Sequence, residues 1–209
     1  MSVDPLTILF GSQARVKLLR FFLFNPSKEF TFDDISKRAR LVRRTARTEI
    51  TALEKAGVIK KKQIYVVKEE GSDAKVRADG YALNKKFTEL QALQTFLFET
   101  APINGKTVLT HLRKVGQIDF VCVAGVFVKD FEQRLDILVA MKKLPEGKVE
   151  NAIRGLEAEL GIEIRFAAFT SDDLIYRVGM YDKLIRDMFD YPHEVILDKI
   201  AIKDELKRP

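Results

Sequence analysis

The sequence predicts an α+β protein in two parts: a helical unit closed by a basic β-hairpin, then an α/β unit. Three observations carry that expectation. Apolar residues recur at helical spacing up to Gly57, after which a β-branched run takes over. Beyond residue 101, helical and strand patterns alternate. The basic excess is confined to the front: residues 1–100 hold 19 Lys and Arg against 12 Asp and Glu, and residues 101–209 hold 17 against 18. Such asymmetry suits a polyanion-binding module joined to a neutral one, with a solvated basic surface as the plainer alternative.

Composition narrows the class. The 209 residues fit one large domain or two small ones. A hydrophobic content of 46% with 32% charged residues is that of a globular chain. No apolar run reaches the roughly 18 residues of a membrane helix. Met1 to Phe10 carry Asp4 and Pro5 and no basic lead, unlike a signal peptide, so a cytoplasmic location is expected. Cys122 is the single cysteine and lies in an apolar run, which excludes a disulfide framework and predicts a buried, inert thiol. His111 and His193 are far apart and have no neighbouring cysteine, so no metal site is expected. There is no Walker-type or GxGxxG loop and no nucleophile–histidine arrangement, so neither a cofactor nor a catalytic residue is expected.

Each element of the first half has a local cause. Val16, Leu19, Phe22 and Leu23 mark a helix within Leu6–Phe24, ended by Asn25-Pro26-Ser27 because proline cannot continue it. Thr31 is the expected N-cap of a short second helix running to about Ala39, with Asp33 and Asp34 in its first turn. A third helix is expected over Arg43–Lys55, closed by Gly57. Its apolar residues Ala46, Ile50 and Leu53 share one face, leaving Arg43, Arg44, Arg47, Thr48 and Thr51 on the remaining surface. Three arginines at the positive end of a helix dipole are locally unfavourable and ask for an anionic partner. A recognition helix supplies one, since its first turns meet base edges and phosphates in the major groove.

A hairpin follows. Val58–Val67 contains the triplet Lys60, Lys61 and Lys62, Glu69–Asp73 forms a turn, and Lys75–Leu83 returns as the second strand with Arg77. Lys68, Lys75 and Arg77 suit phosphate contact, whereas Glu69, Glu70 and Asp73 at the tip would repel it. The segments Phe10–Leu19, Thr45–Leu53 and Leu53–Ile59 together resemble winged-helix transcriptional regulators of the ArsR/MarR kind. That resemblance implies a winged helix-turn-helix domain over 1–85 that binds double-stranded DNA; the metal-sensing cysteines of some ArsR proteins have no counterpart. Phe87–Phe98, with Leu90, Leu93 and Leu97, reads either as a core helix joining two domains or as a dimerisation helix, and 86–101 is assigned to it. Ala101–Gly105 is the expected boundary.

In 102–209, helices are expected at Lys106–Val115, Pro145–Leu160, after Ser171-Asp172-Asp173, and near Tyr181–Phe189. Strands are expected at Ile118–Ala124, Leu135–Met141, Gly161–Phe169 and Glu194–Leu197. Asp182–Arg186 and Lys183–Asp187 are spaced for pairing along one helix face. The order of elements resembles the minimal nucleotidyltransferases, which implies a Gly-Ser turn after one strand and two acids on the next that hold Mg²⁺ for a nucleotide triphosphate. Gly125 matches the glycine and Asp136 the second acid, but Val126 replaces the serine and Arg134 the first acid. Glu163 stands in the place of a third family acid. One carboxylate cannot replace the pair, and an arginine there is expected to pair with Asp136. The expected domain is therefore an inactive α/β relative, with Arg134 as an alternative anion contact.

Two other readings stay open beside the DNA-binding regulator. One is an active nucleotidyltransferase modifying a protein or RNA. The other is a protein-interaction module whose winged helix never touches DNA. A homodimer, and a protein partner or small-molecule effector on the second domain, complete the expected partners.

Overall fold

The computed structural model describes residues 4–67, 75–101, 103–130 and 132–205. Among the described residues the protein is mixed α+β with two sheets. It divides into two compact units, 1–101 with 157–162, and 102–156 with 163–209. Among the described residues no helix is long and apolar enough to cross a membrane.

The first unit opens with α1 (Pro5–Leu9) and α2 (Gln13–Leu23). The helical pattern over Leu6–Phe24 is broken here. Gly11 adopts φ +74°, the left-handed region where a side chain would be strained, and Ser12 caps α2 through the Arg15 amide at 3.3 Å. The short β1 (Glu29–Thr31) leads into α3 (Phe32–Arg38). Thr31 and Asp34 form a reciprocal capping box at its start, so the expected cap is present with an acidic partner. The next helix, α4, spans Arg43–Lys55, and Gly57 beyond it takes φ +78°.

The strands β2 (Ile59–Val67) and β3 (Lys75–Leu83) form an antiparallel hairpin, and β1 adds to the far edge of β3, giving the order β1-β3-β2. Gly80 is required by a close approach: a Cβ there would lie 2.5 Å from the Ile64 side chain of the neighbouring strand. The turn predicted over Glu69–Asp73, together with Lys68, lies outside the described residues.

The core of this unit gathers Leu18, Phe21, Phe22, Phe30, Ile35, Ile50, Leu53, Ile59 and Leu83. Phe21, Phe22 and Phe30 meet edge-on or tilted at centroid distances of 4.5–6.3 Å. The helix α5 (Leu90–Glu99) starts three residues later than its apolar run. Its Leu97 is fully buried, Leu90 and Leu93 pack against the same core, and Gln94 donates to the Leu23 carbonyl at 2.9 Å. Part of that stripe packs inside the unit, with Leu90 and Leu93 half-buried and Phe96 exposed.

The second unit contains α6 (Gly105–Leu112), β4 (Ile118–Val123), a single 3₁₀ turn (Gly125–Val128) and β5 (Ile137–Met141). After α7 (Glu146–Leu160) come β6 (Phe166–Thr170), α8 (Ser171–Gly179), α9 (Lys183–Asp190), β7 (Glu194–Asp198) and α10 (Ile202–Glu205). Its sheet runs β6-β5-β4-β7. The β5–β6 pair is parallel, and the β4–β5 and β4–β7 pairs are antiparallel. All residues of β5 are buried, as its uninterrupted apolar run requires of a central strand. Two strand expectations were too long: residues 161–165 precede β6 rather than belong to it, and Leu135 and Asp136 precede β5.

Cys122 is fully buried in β4, and burial pushes its thiol up to about 12, far from the reactive thiolate. The expected pairs on α9 do not form as spaced. Asp182 is instead its N-cap, accepting from the Leu184 and Ile185 amides, and pairs with Arg177 at 2.7 Å, while Asp187 pairs with Arg134.

Phe22→Ala would leave a cavity among three phenyl rings, and unfolding in urea should report a loss of about 3–5 kcal/mol. The Cys122 thiol should react with an aromatic disulfide reagent only once denaturant is added; rapid labelling of the native protein would contradict its burial.

Candidate nucleic-acid interface and the Asp136 turn

The geometry of the first unit is organised by α4. Ala46, Ile50 and Leu53 are buried as expected, and Glu49 joins them at 7% exposure. Glu49 accepts from Arg15 Nε at 2.8 Å, while Arg15 also donates to the Phe10 carbonyl at 3.0 Å. This pair fixes α4 to α2 and so fixes which face turns outward. That face carries Arg43, Arg44, Arg47, Thr48 and Thr51, all exposed. With Ala52 and Lys55 they line one shallow groove. Lys55 was missed in the sequence, although Arg47, Thr51 and Lys55 follow at i, i+4 and i+8 on the same face.

The first turn of α4 has no side-chain cap, since Val42 occupies the N-cap position. Its crowded cations have partial compensation from within the protein, which the sequence reading did not anticipate. Arg43 pairs with Asp33 of α3. Arg43 and Arg47 also lie over the Phe32 ring, 5.0 and 5.3 Å from its centroid. A second cleft, between α4 and the sheet, is lined by Asp33, Phe32, Arg43, Arg47, Asp79 and Tyr81 among others.

The lysine triplet is not brought together. Strand alternation puts Lys60 and Lys62 on one face of β2 and Lys61 on the other. Lys62 pairs with Glu29 of β1, and Lys61 pairs with Asp79 of β3 at 2.7 Å. The hydrogen bond with Lys61 holds the Asp79 carboxyl below its ordinary range, and the same bond holds Lys61 above its own. Both therefore stay charged around neutrality, and the pair is lost as pH falls through the lowered Asp79 value or rises through the raised Lys61 value. Lys75 and Arg77 are exposed on β3, with Arg77 over the Tyr65 ring at 5.9 Å.

In the second unit, the turn after β4 has the shape expected of a tight connection but is held differently. Gly125 takes φ +53°, and a Cβ on it would fall 2.0 Å from Asp136 Oδ1. Asp136 is fully buried. Its Oδ1 accepts from the Val126 amide at 3.0 Å and from Arg165 Nη2 at 2.8 Å. Its Oδ2 accepts from the Arg165 amide at 2.8 Å and Nε at 2.9 Å. Arg165, not Arg134, is thus the partner of Asp136, and the guanidinium is raised further by that hydrogen bond.

Arg134 points instead to Asp187 of α9 at 3.3 Å. It opens on a cleft of about 310 Å³ also lined by Gln133, Lys183, Met188 and Tyr191. Glu163 is exposed in the segment before β6, not on a strand. The three positions expected to stand for a metal-binding acid set are therefore not assembled. Among the described residues no group of three His, Cys, Asp or Glu side chains is placed to hold a metal ion. The residues present do not fit a nucleotide-bound Mg²⁺, because the lone pairs of Asp136 are already taken up by four N–H donors.

Comparisons with protein-family models, with curated proteins and with solved structures return no match for this chain.

Removing the Asp136 carboxylate would strand the buried Val126 amide, the half-buried Arg165 amide and one arm of Arg165. Asp136→Ala should cost about 3 kcal/mol or more by chemical denaturation, and should do so equally with and without added Mg²⁺. A Mg²⁺-dependent difference would return the site to metal chemistry.

Proposed function

We propose that the chain is a DNA-binding transcriptional regulator whose first unit is a winged helix-turn-helix domain reading duplex DNA with α4. The observation that carries this is the outward face of α4, where Arg43, Arg44, Arg47, Thr48 and Thr51 share one groove while Ala46, Ile50 and Leu53 anchor the opposite face. The order α2, β1, α3, α4 and then a hairpin, with the sheet arranged β1-β3-β2, supports the winged-helix reading. Thr48 and Thr51 add short donors and acceptors between the cations, the mixture that base edges and phosphates both require. Lys75 and Arg77, which share one face of the hairpin, act as backbone contacts flanking the groove, whereas Lys60 lies on the other face. A cytoplasmic location belongs to this reading.

The second unit is read as a nucleotidyltransferase-like domain without activity, serving dimerisation, partner binding or ligand sensing. Its mixed sheet, with β4 antiparallel and β6 parallel to β5, and the Gly125 turn support the likeness. The engagement of Asp136 by Arg165 supports the loss of catalysis.

Fluorescence anisotropy with random-sequence duplex DNA across a salt series tests the first unit. Binding should strengthen as salt falls and collapse in the Arg43/Arg44/Arg47 triple alanine variant. Within a selected operator, Arg47→Ala should cost about 1–3 kcal/mol at one position of the site. Folded protein that binds no duplex at low salt would sink the reading. For the second unit, incubation with labelled ATP and Mg²⁺ should transfer no label to protein or RNA; transfer that co-purifies with the chain and is lost in Asp136→Asn would overturn it.

A further inference from the structure

The proposed DNA face contains carboxylates, and a surface shaped only to attract a polyanion would exclude them. Asp33 and Asp79 stand on the walls of the cleft between α4 and the sheet, beside Arg43 and Arg47. Both are exposed. The capping box of α3 uses Thr31 and Asp34, which leaves the Asp33 carboxylate free to engage Arg43 across elements. Asp79 lies within β3 and receives both Lys61 Nζ and Gln63 Nε2 from β2.

Seven cations belong to the proposed face, and two of them hold an acid, Arg43 with Asp33 and Lys61 with Asp79; Lys60 and Lys62 lie on the opposite face of β2. Among the described residues, Arg44, Arg47, Lys55, Lys75 and Arg77 face no carboxylate. Phe32 beneath Arg43 and Arg47 adds orientation, and Arg43, held by both the ring and the Asp33 carboxylate, has the more restricted fork. A fork so fixed suits two acceptors in a plane, such as guanine O6 and N7.

We propose that Asp33 and Asp79 are specificity-determining residues: they withhold Arg43 and Lys61 from DNA phosphates and yield them only where a base edge or a correctly placed phosphate replaces the carboxylate. The inference rests on the reading of the first unit as a duplex-DNA binder. Solvent-exposed pairs of this kind are weak enough to exchange partners. Each nevertheless removes one cation from the counterion release that drives non-specific binding. Random duplex is then held by the five cations that face no acid, and the two carboxylates repel any backbone that enters the cleft out of register. The lowered Asp79 value keeps its charge in place at neutral pH.

The test uses the full chain and random-sequence duplex DNA in a salt series, with Asp33→Asn, Asp79→Asn, Arg44→Ala and, as a control on the other unit, Asp172→Asn. Each of the two cleft variants should bind random duplex several-fold more tightly, and the slope of log K against log salt should steepen by about 0.9 for the one cation released. Asp172→Asn should match the unchanged chain. Selection from a randomised duplex pool should enrich a less defined sequence for Asp33→Asn than for the unchanged chain. If the unchanged chain binds, Arg44→Ala weakens it, and both cleft variants leave affinity and slope as they were, this proposal fails while the DNA-binding reading stands. If no form binds although circular dichroism shows all folded, the DNA-binding reading fails and takes this proposal with it.

Discussion

The burial of one face of α4 is the constraint on which the rest of the first unit depends. Ala46, Ile50 and Leu53 can reach the core only if the helix sits in one rotational setting, and the buried Glu49 narrows that setting further by binding Arg15. A helix turned by one residue, about 100°, would bring an arginine toward Ile35 and Leu18, where an unpaired cation has no solvation. The arginines therefore face outward for the same reason that the alanine, isoleucine and leucine face inward. Fixing the core and fixing the presented surface are one event, and any function of that surface inherits the rigidity of the core.

A comparable economy holds the second unit. A carboxylate in a dry site must find compensation for lost hydration, and Asp136 finds it in four donors drawn from the turn after β4 and the segment before β6. The contact with Gly125 is so close that no side chain could stand there, which explains the glycine without any ligand. The same atoms cannot also serve a divalent ion. Asp136 thus accepts four hydrogen bonds from the protein itself, and these offset the cost of its burial.

Helices were the most legible part of the chain. The span Arg43–Lys55 follows from its apolar period and its Gly57 stop, and the Thr31 cap from residue type alone. Strand lengths were less so: the alternation over Gly161–Phe169 becomes a strand only from Phe166, and Arg165 just before it is held by Asp136 through its amide and its guanidinium. At the candidate sites, alternation of residue type identified the outward arginines, yet no local pattern predicts which acid meets which base. Arg165 lies 29 residues from Asp136, and Asp33 lies on a different helix from Arg43. Such pairings are set by tertiary approach, so a reading by sequence neighbourhood chose Arg134 for Asp136 and left Arg43 without its acid. The lysine triplet failed for a plainer reason: three consecutive residues on a strand cannot share a face.

These cases share a logic about where charge can be useful. Asp136 is fully buried while the Arg165 side chain remains 43% exposed, so the carboxylate is closed to incoming ions. Arg43 and Asp33 are more than half exposed on both sides, so their pairing is open to exchange with any ligand that offers better geometry. A buried pair fixes structure because breaking it strands a charge; an exposed pair costs little to break and can act as a threshold. The difference in solvation therefore separates the two arginine–aspartate pairs into a structural one and an adjustable one, although both look alike as residue types.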